Sequence, residues 1–372
     1  MVEKPDATPR DGGAAARAIP SLDGLRGVSI LLVLFAHARG TLGTPAFLSS
    51  AAFDHGVLGV RVFFVISGFL ITRLIVEEID TTGRLSLKLF YIRRALRIFP
   101  AFYLFLGVVI CASAVHWLAI PAGNFWFAAT YTMNFVQHGY WETGHLWSLA
   151  VEEQFYLLWP FTICTLGLRR ASILAALLAV AAPYALLALF LRGSGIYMIA
   201  NTAFPLSLDA IAAGCVLGAY IGRLEAHAVF QRVIRSRYGA VAPVVVLALD
   251  FLDHHSALYH GVAQPAITAG ICYSIARYTH AVQSPGARLL AARPLVWLGQ
   301  RSYSLYLWQQ LFLDPYQHSL LQAFPISLLG AFACAGASYR FIEVPLNRLR
   351  RRFRAARTAR RGAAPRIAVA LP

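Results

Sequence analysis

Four groups of polar residues, each set into apolar sequence, have the types and spacing for chemistry. The first is Asp23, Arg26 and His37 in SLDGLRGVSILLVLFAHARG. His37 follows Arg26 by eleven residues. On a helix that is almost three turns, so the two share a face roughly 16 Å apart. Imidazole exchanges a proton near neutrality, which makes His37 a candidate general base. A boundary salt bridge with a hydrogen-bonded histidine would use the same residues. The second group is Arg93, Arg94 and Arg97 in FYIRRALRIFP. Guanidinium forks suit phosphate oxygens, and equally suit anchoring at a membrane surface. The third is HLWSLAVEEQFY, residues 145–156, with adjacent carboxylates Glu152 and Glu153 flanked by Ser148 and Tyr156. Successive helical positions point about 100° apart, so each acid needs its own partner. Ion pairing with Arg61 and Arg73 is one account; holding a catalytic histidine or a polar substrate is the other. The fourth is the stripe LGQRSYSLYLWQ, which carries Ser302 and Tyr303, together with the lone acid Asp209 in LDAIAAG. Substrate contact and helix–helix hydrogen bonding both fit these.

The elements that must position these groups are membrane helices. The chain is 58% hydrophobic and only 13% charged, against about 25% charge in a soluble protein. Apolar runs near 20 residues recur, long enough to cross a hydrocarbon core of roughly 30 Å. The period-2 alternation of a barrel is absent, which leaves an all-α polytopic membrane protein. About ten spans are expected: 19–38, 56–76, 98–118, 145–167, 171–191, 204–222, 239–252, 261–280, 294–313 and 325–345. With the N-terminus inside, inner loops collect nearly all the arginines and outer loops keep only Arg39 and Arg192, so the orientation is N-in, C-in. The net charge of +16 follows from that rule and gives no reason to expect nucleic acid. The five cysteines are scattered singly and form neither a metal spacing nor a disulfide framework.

Residues 1–18 read as a disordered cytoplasmic N-terminus and 347–372 as a basic cytoplasmic tail. Ala36-His37-Ala38 mimics a signal-peptidase site, but the charged Asp23 and Arg26 crowd the apolar run and an uncleaved first span is expected. The seventh span is the weakest. The aromatic loop 119–144 reads as interfacial or re-entrant. His254, His255 and His260 lie in an outer loop with no carboxylate pattern for a metal, and no metal is expected. No internal repeat of the transporter kind is present, and any chemistry belongs inside the bundle.

Taken together, the segments resemble the membrane acyltransferase-3 family of bacterial surface-sugar O-acyltransferases. The matching residues are Arg26 and His37, GVRVFFVISGFLIT (59–72), FYIRRALRIFPAFY, HLWSLAVEEQFYLLWP, LGQRSYSLYL and YRFIEVP (339–345), covering about 19–346 as one transmembrane domain. Two positions depart from the family: Arg61, where Asp is frequent, and Gln309, where a histidine is frequent. The second departure leaves His37 as the strong base among the motifs.

The resemblance implies transfer of an acyl group, acetyl by default, from cytoplasmic acyl-CoA to a hydroxyl of a saccharide or glycolipid at the bacterial inner membrane. It implies that Arg26 and His37 are essential, that acyl-CoA is a co-substrate with no bound cofactor, and that the chain is a stand-alone transferase without the hydrolase-like domain of larger members. On this reading Arg26, Arg93, Arg94 and Arg97 hold the donor, His37 with Glu152 or Glu153 is catalytic, and Asp23, Ser148, Tyr156, Asp209, Ser302 and Tyr303 support them. The rival reading is a polytopic transporter of a sugar or lipid. Oligomeric state has no signature in the sequence.

Overall fold

The computed structural model describes residues 19–136, 139–193, 208–317 and 319–349. The expected N-terminal tail 1–18, the start of the span at 204 and most of the tail 347–372 lie outside the described residues. Helices make up the architecture and no strand occurs among the described residues. In chain order they are α1 (Pro20–Ala38), α2 (Gly56–Thr82), α3 (Leu87–Ala114), α4 (Ala122–Ala129), α5 (Trp141–Gly144), α6 (Leu146–Leu191), α7 (Asp209–Leu224), α8 (Ala228–Arg235), α9 (Ala242–Asp250), α10 (Gln264–His280), α11 (Pro285–Leu290), α12 (Arg293–Phe312) and α13 (Ile326–Ser338).

Local sequence sets these limits. Pro20 opens α1, where a missing N–H costs nothing. Gly83, at φ 74°, closes α2 in the left-handed conformation that glycine tolerates. The 46 residues of α6 bend at Gly167 (φ 76°, ψ 158°), so the expected spans 145–167 and 171–191 become its two legs. Among the described residues, four stretches are long and apolar enough to cross a membrane: Pro20–Ala38, Ala51–Thr82, Leu87–Ala114 and Trp141–Leu191. The later helices are shorter, interrupted or, as in the 20 residues of α12, less apolar. The weak seventh span is a 3-10 turn (Arg237–Val241) leading into the nine residues of α9. π turns at Tyr259–Ala263 and Tyr339–Glu343 flank α10 and α13. The aromatic loop 119–144 holds α4, a 3-10 turn and α5, and it buries Asn124 bonded to Thr143. Leu157, Phe161, Leu177 and Val180 stay exposed on α6, the apolar exterior of a helix that faces lipid.

Two glycine seams organise the packing. Along α1 and α12, a Cβ added at Gly27 would lie 2.2 Å from the Leu295 carbonyl oxygen, and one at Gly299 would lie 1.7 Å from that of Asp23. Along α2 and α7, Gly214 and Gly218 press on the backbone at Val65 and Phe69. Small residues let backbones touch in this way, which is how membrane helices associate without a hydrophobic driving force. Matching positions rise together along both pairs, so each pair runs parallel. The bundle therefore has two ends: one with Arg26, Arg94, Arg97 and the C-terminus of α7, the other with His37, His55 and Gln309. Phe69, Phe102 and Phe105 fill the interior between them.

Candidate active site

The basic end opens into a cavity lined by Arg26, Arg94 and Arg97, and by Ser67, Ser148, Glu152, Glu153, Tyr156, Ser302, Tyr303 and Tyr306. Its lining on α2 runs from Val60 to Leu74, about 21 Å of helix. Arg94 is the hub of this wall. Its guanidinium lies 3.5 Å from Glu152 and 3.7 Å from Glu153, and it stacks over the Tyr156 ring at 3.4 Å. Ser67 and Tyr156 both donate to Glu152. The two carboxylates thus find their cation in Arg94. Arg61 pairs with Asp209, and Arg73 sits over the Phe69 ring. Arg93 is tied to Glu78 at 2.6 Å and is not part of the lining. Asp23 lies beside Arg26 and Gln300. Tyr303 donates to the Ile98 carbonyl at 3.0 Å, and the buried Ser302 hydroxyl has no partner among the described residues.

From the deep end of the cavity a polar chain leads to His37. The Ser148 and Tyr306 hydroxyls meet at 2.6 Å, and Tyr306 donates to the His145 carbonyl at 3.1 Å. The His145 backbone N–H donates to Gln310 Oε1 at 3.0 Å, and its ring Nδ1 reaches the same oxygen at 2.6 Å. With Oε1 committed, Gln310 turns its Nε2 towards His37 Nε2, 3.4 Å away. On the other side of the ring, His37 Nδ1 lies 2.8 Å from Gln309 Oε1, which can only accept. Both neighbours therefore assign the same tautomer: the proton sits on Nδ1 and Nε2 carries the lone pair. Trp141 packs edge-on against the His37 ring at 5.4 Å and is held by the Leu313 carbonyl.

A family model described as an acyltransferase domain, of the acyltransferase-3 type, matches residues 19–340. This chain belongs to the acyltransferase-3 family. It is 31% identical over 363 residues to a Staphylococcus aureus (strain COL) protein provisionally named an O-acetyltransferase. It is also 31% identical over 364 residues to the O-acetyltransferase OatA of S. aureus (strain NCTC 8325 / PS 47). Each alignment covers 89% of this chain and 58% of the relative, so the chain spans little more than half the length of these relatives. No solved structure registers as a match. The family domain covers most of the chain, and the long apolar helices among the described residues suit a membrane.

The acyltransferase-3 chain brings together most of the residues that stand out in its sequence. Arg26, Arg94, Arg97, Ser148, Glu152, Glu153, Tyr156, Ser302 and Tyr303 share one cavity. His37 lies beyond its lining, joined to it by the chain through His145. Asp209 stands apart and is not a lone acid: Arg61 and Thr268 both engage it or each other, and Gln264 donates to it at 3.4 Å. His145, Gln310 and Trp141 were given no role from the sequence, and Gln309 stood out only as a departure from the family pattern. The one available signal for Gln310 was an adjacent amide pair in an apolar span.

Proposed function

We propose that this acyltransferase moves an acetyl group from acetyl-CoA on the cytoplasmic side of the bacterial inner membrane to a saccharide hydroxyl, with His37 as general base. The observation that carries the reading is the placement of two functions on α1: Arg26 in the mouth of a cavity and His37, its Nε2 lone pair defined, at the far end. Arg26 and Arg97 would take the CoA phosphates, and the pantetheine arm would extend along the cavity towards Ser148 and Tyr306. Arg94, engaged by Glu152 and Glu153, shapes the cavity wall and adds positive potential to it.

At the deep end the acceptor hydroxyl would replace the long Gln310 contact at His37 Nε2. The hydroxyl oxygen attacks the thioester carbonyl carbon as Nε2 takes its proton. The C–S bond then breaks and the imidazolium returns the proton to the thiolate, giving the ester and CoA thiol. Gln309 Oε1 holds Nδ1–H throughout, an orienting role that a carboxylate plays in a serine-protease triad. The Gln310 amide stands where an N–H can meet the developing oxyanion.

A saccharide acceptor suits the surface beyond His37, where Trp141 packs against the exposed Tyr316 and Gln317 donates to Glu142. Flat aromatic faces beside carboxylate and amide groups match sugar rings and their hydroxyls. The ten-span, N-in/C-in topology is supported by the parallel seams and by the gathering of arginines at one end.

The test is mass spectrometry of surface glycans from cells that express the wild type or His37→Ala at equal abundance. Loss of one acyl group per repeat in the variant is expected. Full acylation would refute His37 as the base.

A further inference from the structure

We propose that the basic end carries an anionic phospholipid site, separate from the cavity, in the groove between α9 and α10. The groove is lined by Tyr238, Gly239, Val241, Val245, Gly270 and Tyr273, among other residues that are mostly small or apolar. Two glycines let its walls pack closely on each other. A Cβ at Gly239 would fall 1.8 Å from the Tyr273 hydroxyl, and one at Gly270 would fall 2.4 Å from Val246 Cγ2. Val241, Val245 and Ala266 are exposed along it. From Val241 to Leu249 the α9 wall rises about 12 Å. That is close to one leaflet of a hydrocarbon core roughly 30 Å thick. An acyl chain fits such a groove; a soluble ligand has little to bond there.

Charge decides which lipid. The groove begins at α8 and the turn after it, where Arg232, Arg235 and Arg237 are all exposed. Arg232 and Arg235 bracket Val233, a lining residue. Arg237 is held at the rim itself, donating to the Tyr238 hydroxyl at 2.8 Å with its guanidinium 4.9 Å from that ring. Glu225, an acid close by in sequence, is engaged by His280. Below the rim the buried Arg277 donates to the carbonyls of Ile234 and Ser236 and fixes the turn. Three arginines above an apolar slot one leaflet deep complement a phosphodiester headgroup with its chain below. Because α8 follows α7, whose C-terminus lies at the Arg26 end, the lipid would sit in the leaflet on that side.

The test uses the purified, delipidated full chain in detergent, titrated with dioleoyl phosphatidylglycerol or dioleoyl phosphatidylcholine, with bound lipid counted by native mass spectrometry. Phosphatidylglycerol should bind in preference. The triple variant Arg232→Gln, Arg235→Gln, Arg237→Gln should weaken its binding by on the order of a hundredfold and leave the phosphatidylcholine level unchanged. Ala266→Trp, which fills the slot from an exposed position and keeps the rim, should also abolish it. Equal binding of the two lipids, or retention of phosphatidylglycerol by the triple variant, would overturn the proposal. Retention by a folded Ala266→Trp would overturn the acyl-chain half, and displacement of phosphatidylglycerol by equimolar polyprenyl phosphate would show the wrong occupant. The rim arginines are exposed and outside the packed core, so the triple variant decides the matter even if Ala266→Trp does not fold.

Discussion

Replacing Gln309 by leucine would isolate the orienting contact at His37. Gln309 is fully buried and its Oε1 accepts from His37 Nδ1–H at 2.8 Å. Leucine has nearly the same volume but no acceptor, so the imidazole N–H is left buried and unpaired. That costs about 1–3 kcal/mol, and it is removed from the tautomer that presents a lone pair at Nε2. If the penalty falls on the transition state, the rate drops roughly 5- to 150-fold at about 1.4 kcal/mol per decade. The assay is CoA thiol release from acetyl-CoA in membrane vesicles that contain the native acceptor, over a range of acetyl-CoA concentrations. kcat should fall while the KM for acetyl-CoA stays put, because Gln309 lies beyond the cavity that would hold the donor. Gln309→Glu restores an acceptor, and Gln309→His supplies the residue frequent in the family; both should remain within about tenfold of wild type. Wild-type kcat in Gln309→Leu at equal abundance would refute the orienting role.

Three further outcomes follow from the packing. Arg97→Gln should raise the KM for acetyl-CoA about 10- to 100-fold, the loss of charge-assisted hydrogen bonds, whereas Arg93→Gln, tied to Glu78 outside the cavity, should leave it unchanged; the same vesicle assay separates them. Asp209→Leu leaves Arg61 charged and unpaired in the bundle and should cost about 3–5 kcal/mol of stability, with much of it recovered when Arg61→Leu is added; unfolding of both variants in detergent measures this. His254, in the loop after α9, has a pKa raised above the 6.5 of a free imidazole, chiefly by its hydrogen bond with Asp250. A raised folded-state pKa gives stability that is full below the unfolded value and lost as pH climbs through the folded one. The Tm gap between wild type and His254→Gln should therefore be widest near or below that unfolded value and close at higher pH.

Much of this was legible in the sequence because membrane helices announce themselves by composition and because charge in an apolar run is conspicuous. Arg26, Arg94, Glu152 and Glu153 stand out for that reason, and they meet in one cavity. What the sequence withheld was pairing across helices. Nothing local ties Arg94 to the two glutamates, or Arg61 to Asp209 148 positions away. These partners are chosen by the glycine seams, which set which faces meet. Gln310 was quiet, and Gln309 stood out only as a departure from the family's histidine, because neutral amides are common helix–helix contacts in membranes. Their importance comes only from the two imidazoles beside them. The π turns escaped for a different reason: hydropathy measures how apolar a segment is and is blind to where its backbone changes pitch.

The α1–α12 seam also sets what can move. Gly27 and Gly299 bring two backbones into contact with no side chain between them to yield. Sliding α12 by one turn, about 5.4 Å, would carry Gln309 out of reach of His37 and drive carbonyls into each other. The seam behaves as a fixed jaw that holds His37 and Gln309 in register. A substrate that needs room must obtain it from the opposing jaw, formed by α2, α3 and the first leg of α6. There the cavity is lined by side chains such as Phe63, Leu70 and Tyr156, which can change rotamer without shifting His37 and Gln309.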